Sequence, residues 1–183
     1  LAEDSRPESL PAPPPSVLIP HPNAHKGIAA TLRSVLASRY RGEIEVVVVD
    51  DGSRDGTAAE VERVAEADPR VRLVRQPNQG KAHALQNALA HASHRTLVML
   101  DADTQFEPAT LGELVCLLEQ PNVGAVSGHV KVGNQRGWLG RFQALEYTCG
   151  FNLDRRAYDL LDCITVVPGA ACAMRRDALE QAG

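Results

Sequence analysis

Two aspartates one residue apart, Asp101 and Asp103, are the side chains that most directly suggest chemistry in this sequence. They follow four apolar residues, 97–100, and a short apolar run of this kind predicts a buried strand. In an open α/β sheet, ligands bind at the edge where the parallel strands end. Two carboxylates there repel each other unless a cation lies between them, and Mg²⁺ or Mn²⁺ binds such ligands together with phosphate oxygens. The alternative is that both residues cap a helix or lie in a solvated turn, because so short a motif often arises by chance.

A second pair of acids ends the most β-branched segment of the chain. The run 44–49 is followed by Asp50, Asp51, Gly52 and Ser53. A carboxylate fixed at a strand end can accept hydrogen bonds from a nucleoside base or from a ribose hydroxyl. The same residues could instead form a glycine turn that is capped by the aspartates.

A third polar segment, 78–81, separates a predicted strand from a predicted helix. Gly80 allows a ligand to approach the backbone closely, and Lys81 at the helix start can offer a positive charge to a diphosphate. Neither the P-loop pattern nor G-x-G-x-x-G is present. Without neighbouring functional groups, Lys81 would be interpreted as a solvated lysine.

Strands and helices alternate along the chain, which predicts βαβ units and a mostly parallel sheet. The predicted strands are 17–19, 44–49, 71–74, 96–100, 123–132 and 164–167, and the predicted helices are 27–38, 57–67, 81–92, 108–118 and an amphipathic stretch at 138–161. Parallel strands bring their carboxyl ends to one edge, so this topology predicts that several polar residues converge there. They are Asn23, Asp50, Asp51, Asn78 to Lys81, Asp101 and Asp103. Such convergence favours a binding site over isolated turns.

Composition limits the classes of function. The chain has 183 residues and a net charge of −4, and it has few aromatic residues, so we expect no nucleic-acid partner. The four cysteines have no C-x-x-C spacing, which argues against a zinc site and favours buried free thiols. Residues 1–16 contain five prolines and are interpreted as a linker, with the folded domain at 17–183. No run is long and apolar enough to cross a bilayer, and the termini at Leu1 and Gly183 suggest a part of a longer protein.

Taken together, these motifs resemble the family 2 inverting glycosyltransferases with a GT-A fold. The resemblance rests on Ile19-Pro20 followed by Asn23, and on the segments 46–57, 78–85 and 99–104 in the family's order. Four later segments, 124–134, 143–147, 152–157 and 165–170, resemble the processive polysaccharide synthase branch, and poly-N-acetylglucosamine synthase-like members most of all.

The resemblance implies an α/β Rossmann-like GT-A fold, a UDP-sugar donor, a polysaccharide acceptor and Mg²⁺ or Mn²⁺ as the cofactor. Asp50 and Asp51 would contact the uridine, with Pro20 and Asn23 beside the nucleotide. Lys81 would lie near the diphosphate or base. The implied metal ligands are Asp101, which also borders the sugar nucleotide, and Asp103, which is the more direct of the two. The implied acceptor site is the loop Pro168, Gly169 and Ala170, although its residues alone would equally fit a plain turn.

The chain departs from the family pattern at Ala24, where relatives usually have a glutamate. The resemblance places the catalytic base, an aspartate, beyond Gly183, together with membrane segments that would hold the full protein at the cytoplasmic face of the cell membrane. Three alternatives remain open: a nonprocessive family 2 transferase that modifies a lipid or protein, a noncatalytic UDP-sugar-binding partner, and a nucleotidyltransferase. The last would need an early glycine-rich signature, which residues 17–26 lack.

Overall fold

A computed structural model describes residues 13–130 and 170–182. Helices and strands alternate through most of this part of the chain. The strands are β1 (Pro15–His21), β2 (Glu45–Asp51), β3 (Val71–Gln76), β4 (Thr96–Leu100), β5 (Ala125–Ser127) and β6 (Ala171–Arg175), and the helices are α1 (Ile28–Leu36), α2 (Thr57–Ala67), α3 (Lys81–His91), α4 (Thr110–Leu118) and α5 (Arg176–Ala182).

The described strands form one sheet in the order β3-β2-β1-β4-β6-β5. Strands β1 to β4 are mutually parallel, β6 is antiparallel to β4, and β5 is antiparallel to β6. The predicted α/β fold with a largely parallel sheet is therefore confirmed, with an antiparallel edge added by β6. The chain moves outward from β1 to β3 and then returns to the other side of β1 as β4, so the direction of winding reverses between β1 and β4.

Both faces of the sheet are covered, which explains why its central strands are continuous apolar runs. On β1, Val17 and Ile19 join one core cluster together with buried residues of α1, α2 and α4. Leu18, between them, joins a second cluster on the opposite face with Ala84 and Ala88 of α3. The alternation follows from the two-residue period of a strand.

Strand β1 begins two residues before the predicted start and ends two residues after the predicted end, so that it includes Pro20. Ser16 is buried, and its hydroxyl donates a hydrogen bond to Glu45. Pro20 is tolerated because pairing with β4 stops at Leu18, so that beyond this point only β2 pairs with the strand. Proline has no N–H group to donate, and it is tolerated where one side of a strand is unpaired.

Other boundaries also differ from those predicted. Helix α4 begins at Thr110 instead of residue 108, and within the described residues 123–130 the strand predicted at 123–132 spans Ala125–Ser127. Strand β6 was not predicted, because its sequence of small residues lacks a clear β pattern and its pairing partner β4 lies some seventy residues earlier. The predicted segments 138–161 and 164–167 lie outside the described residues.

Two polar networks hold the edge of the sheet opposite the predicted site. The Glu45 carboxylate accepts hydrogen bonds from Ser16, Ser93 and Arg72. Burial raises the pKa of Glu45, but these hydrogen bonds and the nearby Arg72 charge outweigh it, so that the pKa is lowered overall. At the end of α3, the Arg176 guanidinium donates to the carbonyl oxygens of residues 89, 92 and 94 and so ties α5 to that helix. Among the described helices, none has the length and apolar character that a membrane span requires.

Helix α4 offers a matched test of this packing. Leu114 is 3% exposed in the core and Leu117, one turn later, is 46% exposed. We expect Leu114→Ala to lower the free energy of unfolding by about 2–4 kcal/mol, because it leaves a cavity. Leu117→Ala should change it by less than about 0.5 kcal/mol. Urea denaturation followed by circular dichroism measures both values, and equal effects would contradict the described packing of α4.

Candidate functional site

The candidate site lies where β1 and β4 run side by side and the winding of the sheet reverses, which is where ligands bind in open α/β sheets. The loops that follow β1, β2, β3 and β4 all emerge at this edge, because these four strands are parallel. Hydrogen bonds and an ion pair join these loops, so the predicted convergence of polar residues at one edge is correct.

Asp51 is the buried anchor of this edge. Its side chain is fully buried, and its carboxylate accepts hydrogen bonds from Gln76 Nε2 and from the backbone N–H groups of Gln79 and Gly80, each at 2.8 Å. Burial raises the pKa of Asp51, but these three hydrogen bonds and the nearby His83 lower it more, so that the pKa lies below its ordinary value. All three donors belong to β3 and the loop after it, so Asp51 fixes that loop.

Two further contacts hold the same loop against the end of β2. The side-chain amide of Asn78 donates to the backbone carbonyl of Asp51 at 2.9 Å. A Cβ atom on Gly52, whose φ is +71°, would lie 2.7 Å from the backbone nitrogen of Asn78. Gly52 therefore permits both the turn and the close approach of the two loops. Gln76 is oriented in turn by Asn87 of α3, whose Nδ2 donates to Gln76 Oε1.

The loop after β1 is bound to the loop after β2. Asn23 has a left-handed backbone with φ of 54°; its N–H donates to Ser53 Oγ, and its Oδ1 accepts from the N–H of Arg54. The N–H of Ala24 donates to Thr57 Oγ1 at 2.8 Å. Ser53 is also held by the end of β2, because its N–H donates to Oδ1 of the buried Asp50 at 2.9 Å. The first and second loops consequently form one unit.

The backbone of the Asp101-Ala102-Asp103 segment is held from two sides. Thr31 of α1 donates its hydroxyl to the carbonyl of the buried Ala102 at 2.8 Å, and the N–H of Asp101 donates to the carbonyl of Ala170 at 3.2 Å. Gly27 lies so close that a Cβ there would be 3.1 Å from the Ala102 carbonyl oxygen. The two aspartates are therefore presented on a fixed turn.

The two carboxylates of this segment differ in their surroundings. Asp101 Oδ1 forms an ion pair with Lys81 Nζ at 2.5 Å. Asp103 is exposed, and its carboxylate has no hydrogen bond or ion pair within residues 13–130 and 170–182. The amino end of α1 at Gly27 lies beside Asp103, and a helix amino terminus favours nearby negative charge.

These oxygens fit a hard divalent cation that takes one or two carboxylates and completes its shell with phosphate oxygens and water. In the part of the chain that the structure describes, no cluster of three or more His, Cys, Asp or Glu side chains is positioned to hold a metal alone. Asp101 and Asp103 therefore fit a metal that is shared with a phosphate ligand better than a closed structural metal site.

Cys172 lies beneath the ion pair on β6. Its thiol is buried, and burial raises its pKa to about 11, so the group is neutral at ordinary pH. Cys116 is half-buried, and both are free, as predicted; Cys149 and Cys163 lie outside the described residues. Cys172 thus contributes packing but no charge next to Asp101 and Lys81.

The structure places most of the predicted site residues together. Pro20, Asn23, Asp50, Lys81, Asp101 and Asp103 lie at the same edge as Asp51, and Ala170 touches the Asp101 backbone, whereas Pro168 and Gly169 lie outside the described residues. Their ligand contacts stay predictions. Sequence reasoning missed the positioning residues Gln76 and Thr31. Thr31 carried a usable signal, because it is a polar residue at helical spacing from the apolar Ile28 and Val35.

We expect the buried carboxylate of Asp51 to stabilise the folded chain in a pH-dependent way. Its pKa is lowered from 3.8 by folding, so this stabilisation is fully present above pH 3.8 and is lost as the pH falls through the lower folded-state value. Asp51→Asn should lower the free energy of unfolding at pH 7 by about 2–3 kcal/mol, because an amide cannot accept all three hydrogen bonds. It should also reduce the further loss of stability as the pH falls below 3.8, because the carboxylate that takes up a proton there is absent.

Urea denaturation at a series of pH values measures both effects. Asp177→Asn on the exposed side of α5 is the matched control and should change the free energy of unfolding by less than about 0.5 kcal/mol. An Asp51→Asn variant as stable as this control, with an unchanged acid transition, would contradict the anchoring role of Asp51.

Comparison with known proteins agrees with this geometry. Poly-beta-1,6-N-acetyl-D-glucosamine synthase of Staphylococcus aureus is 29% identical over 162 residues, which are 88% of this chain and 39% of the synthase. The corresponding synthase of Staphylococcus epidermidis matches with the same identity and coverage. The chain therefore spans well under half the length of these relatives.

Solved structures give the same fold. A mannosyltransferase of Pyrobaculum calidifontis, determined in complex with GDP-Man and Mn²⁺, superimposes with a TM-score of 0.74 at 33% identity, covering 98% of this chain and 50% of that one. S. aureus TarS residues 1–349 in complex with UDP-GlcNAc superimpose with a TM-score of 0.60 at 27% identity, covering 67% and 36%. Both are glycosyltransferases with the GT-A architecture. The family description "Glycosyl transferase family 2" matches residues 16–183, and the chain accordingly belongs to glycosyl transferase family 2.

Proposed function

We propose that this chain forms the donor-binding part of a UDP-sugar-dependent, metal-requiring transferase that extends a β-linked polysaccharide. The observation that carries the proposal is the cluster of Lys81, Asp101 and Asp103 at the edge between β1 and β4. One cationic group at a helix start and two carboxylates on a fixed turn suit a nucleoside diphosphate with its cation. The names of the synthases that match the sequence support a polysaccharide product.

Each loop would have a separate task in binding the donor. The loops after β1 and β2 form one unit. Its polar groups, Asp50, Asn23 and the adjacent backbone, would contact the nucleoside. Lys81 would face the diphosphate, assisted by the amino terminus of α3. Asp101 and Asp103 would hold Mg²⁺ or Mn²⁺, which when bound would offset the negative charge of the departing diphosphate.

The transfer itself would be a single inverting displacement, in which an acceptor hydroxyl attacks the anomeric carbon of the sugar. The base that deprotonates that hydroxyl is not assigned to any residue described here. Ala170 adjoins Asp101, so the loop 168–170 would border the acceptor sugar. Action at the cytoplasmic face of a membrane is part of the same proposal.

A second donor class has one specific observation in its favour. The mannosyltransferase that superimposes on nearly the whole chain was determined with GDP-Man. A GDP-sugar is therefore the competing donor, and a binding experiment should compare the two nucleotides directly.

We expect Mn²⁺ to strengthen UDP binding to the full-length protein by about tenfold or more, which corresponds to roughly 1.4 kcal/mol. Asp103→Asn should remove most of this increment, because it removes a metal-binding oxygen charge while leaving the nucleoside contacts in place. Isothermal titration calorimetry with UDP, with and without Mn²⁺, measures the effect, and GDP in parallel titrations tests the competing donor.

Asp177→Asn is the control, since Asp177 follows β6 at the opposite edge of the sheet and should leave the increment unchanged. If Mn²⁺ has no effect on wild-type UDP binding, or if Asp103→Asn retains the full increment, the metal assignment is wrong. Tighter binding of GDP than UDP would replace the proposed donor class.

A further inference from the structure

Lys81 and Asp101 form an ion pair with each other, whereas in the proposed donor complex Lys81 would bind the diphosphate and Asp101 would bind the metal. Lys81 Nζ lies 2.5 Å from Asp101 Oδ1, and the side chains are 58% and 29% exposed. An ion pair with this much exposure is worth little on its own, because water solvates both partners well. It is therefore readily exchanged for other partners.

The backbones on either side of the pair are held by separate contacts. The N–H of Gly80, directly before Lys81, donates to Asp51, and the N–H of Asp101 donates to Ala170. The carbonyl of Asp101 accepts from the N–H of Thr104 at 3.0 Å. Breaking the ion pair thus requires only side-chain rotation, and neither the loop nor the turn has to move.

Lys81 is the ion-pair partner of Asp101 within the described residues. The buried thiol of Cys172 interacts with both charges, and Asp103 follows Asp101 by two residues in the sequence. A divalent cation that approaches Asp101 meets the lysine charge a few ångströms away, and in water a unit charge at this range changes the affinity for a cation by about fivefold or more.

We propose that Lys81 occupies Asp101 while no donor is bound, and that the donor's diphosphate draws Lys81 away and so makes Asp101 available to the metal. Binding of the nucleoside diphosphate and of the divalent cation is then positively coupled through this one lysine. The inference rests on the proposed function, since it takes the nucleoside diphosphate and the metal as the ligands of this edge.

The coupling follows from the repulsion between the Lys81 ammonium and the metal, which would both lie beside Asp101. A metal that binds alone competes with Lys81 for Asp101 and is repelled by its charge. When a diphosphate is present, its oxygens replace Asp101 as the partner of Lys81, so the metal no longer competes with the lysine. By thermodynamic linkage, the metal strengthens nucleotide binding by the same factor.

The test is the affinity of the full-length protein for Mn²⁺ alone, measured from the electron paramagnetic resonance signal of the free ion, and then repeated with saturating UDP. Lys81→Gln should bind Mn²⁺ alone about three- to tenfold more tightly than the wild type, because the competing charge is gone. The strengthening of Mn²⁺ binding by UDP should shrink by a similar factor, and UDP should itself bind more weakly.

Two control variants separate this effect from a general change in charge. Lys81→Arg keeps a positive charge at the same position and should hold Mn²⁺ affinity within about twofold of the wild type. Arg63→Gln removes a positive charge from the exposed face of α2, where Arg63 pairs with Glu60, and should leave Mn²⁺ affinity unchanged.

The outcomes distinguish this inference from the proposed function. If the wild type shows metal-dependent UDP binding but Lys81→Gln binds Mn²⁺ alone no more tightly, the coupling through Lys81 is wrong and the proposed function stands. If the wild type shows no metal-dependent UDP binding, the proposed function fails and the coupling fails with it. Tighter Mn²⁺ binding in Lys81→Gln and not in Lys81→Arg supports the coupling.

Discussion

The buried carboxylate of Asp51 is the interaction on which the rest of the site depends. A fully buried charge is costly unless hydrogen bonds replace the lost water, and here three N–H donors do so. Two of these donors belong to the backbone immediately before α3, so satisfying Asp51 also fixes where that helix begins. The position of Lys81, the first residue of α3, is consequently set by a carboxylate at the end of a different strand.

The other loops at this edge are held mainly through hydrogen bonds to their backbone N–H and carbonyl groups. Thr31 holds the carbonyl of Ala102, Ala170 holds the N–H of Asp101, and Asn23 holds the second loop through Ser53 and Arg54. The backbone of these loops is thus fixed by hydrogen bonds, while side chains such as Lys81 and Asp101 can exchange partners. This division suits a site that must bind and release a charged ligand without rebuilding its loops.

Most of the fold could be predicted because its signals are local. The apolar runs of β2 and β4 and the helical spacing in α1 and α2 directly reflect burial on two faces of a sheet. Strand β6 could not be predicted, because its pairing with β4 depends on residues far away in sequence. The edge that carries the site was predicted from topology alone. The role of Gln76 was not, since nothing in a strand-end glutamine indicates that it orients a buried aspartate on the neighbouring strand.

The sequence also presents Asp50, Asp51, Asp101 and Asp103 as equivalent acids after two strands, and only their burial separates them. Asp51 is saturated by donors, so its charge is committed to the structure, and Asp50 is nearly as buried and already accepts from Ser53. Asp101 is partly exposed and forms an ion pair with the exposed side chain of Lys81. Asp103 is exposed and has no partner in the described part of the chain. A ligand can recruit only charge that the fold has not already satisfied. The capacity to bind a cation at this edge therefore belongs to the second pair of acids, whereas Asp51 fixes the loop that sets the position of Lys81.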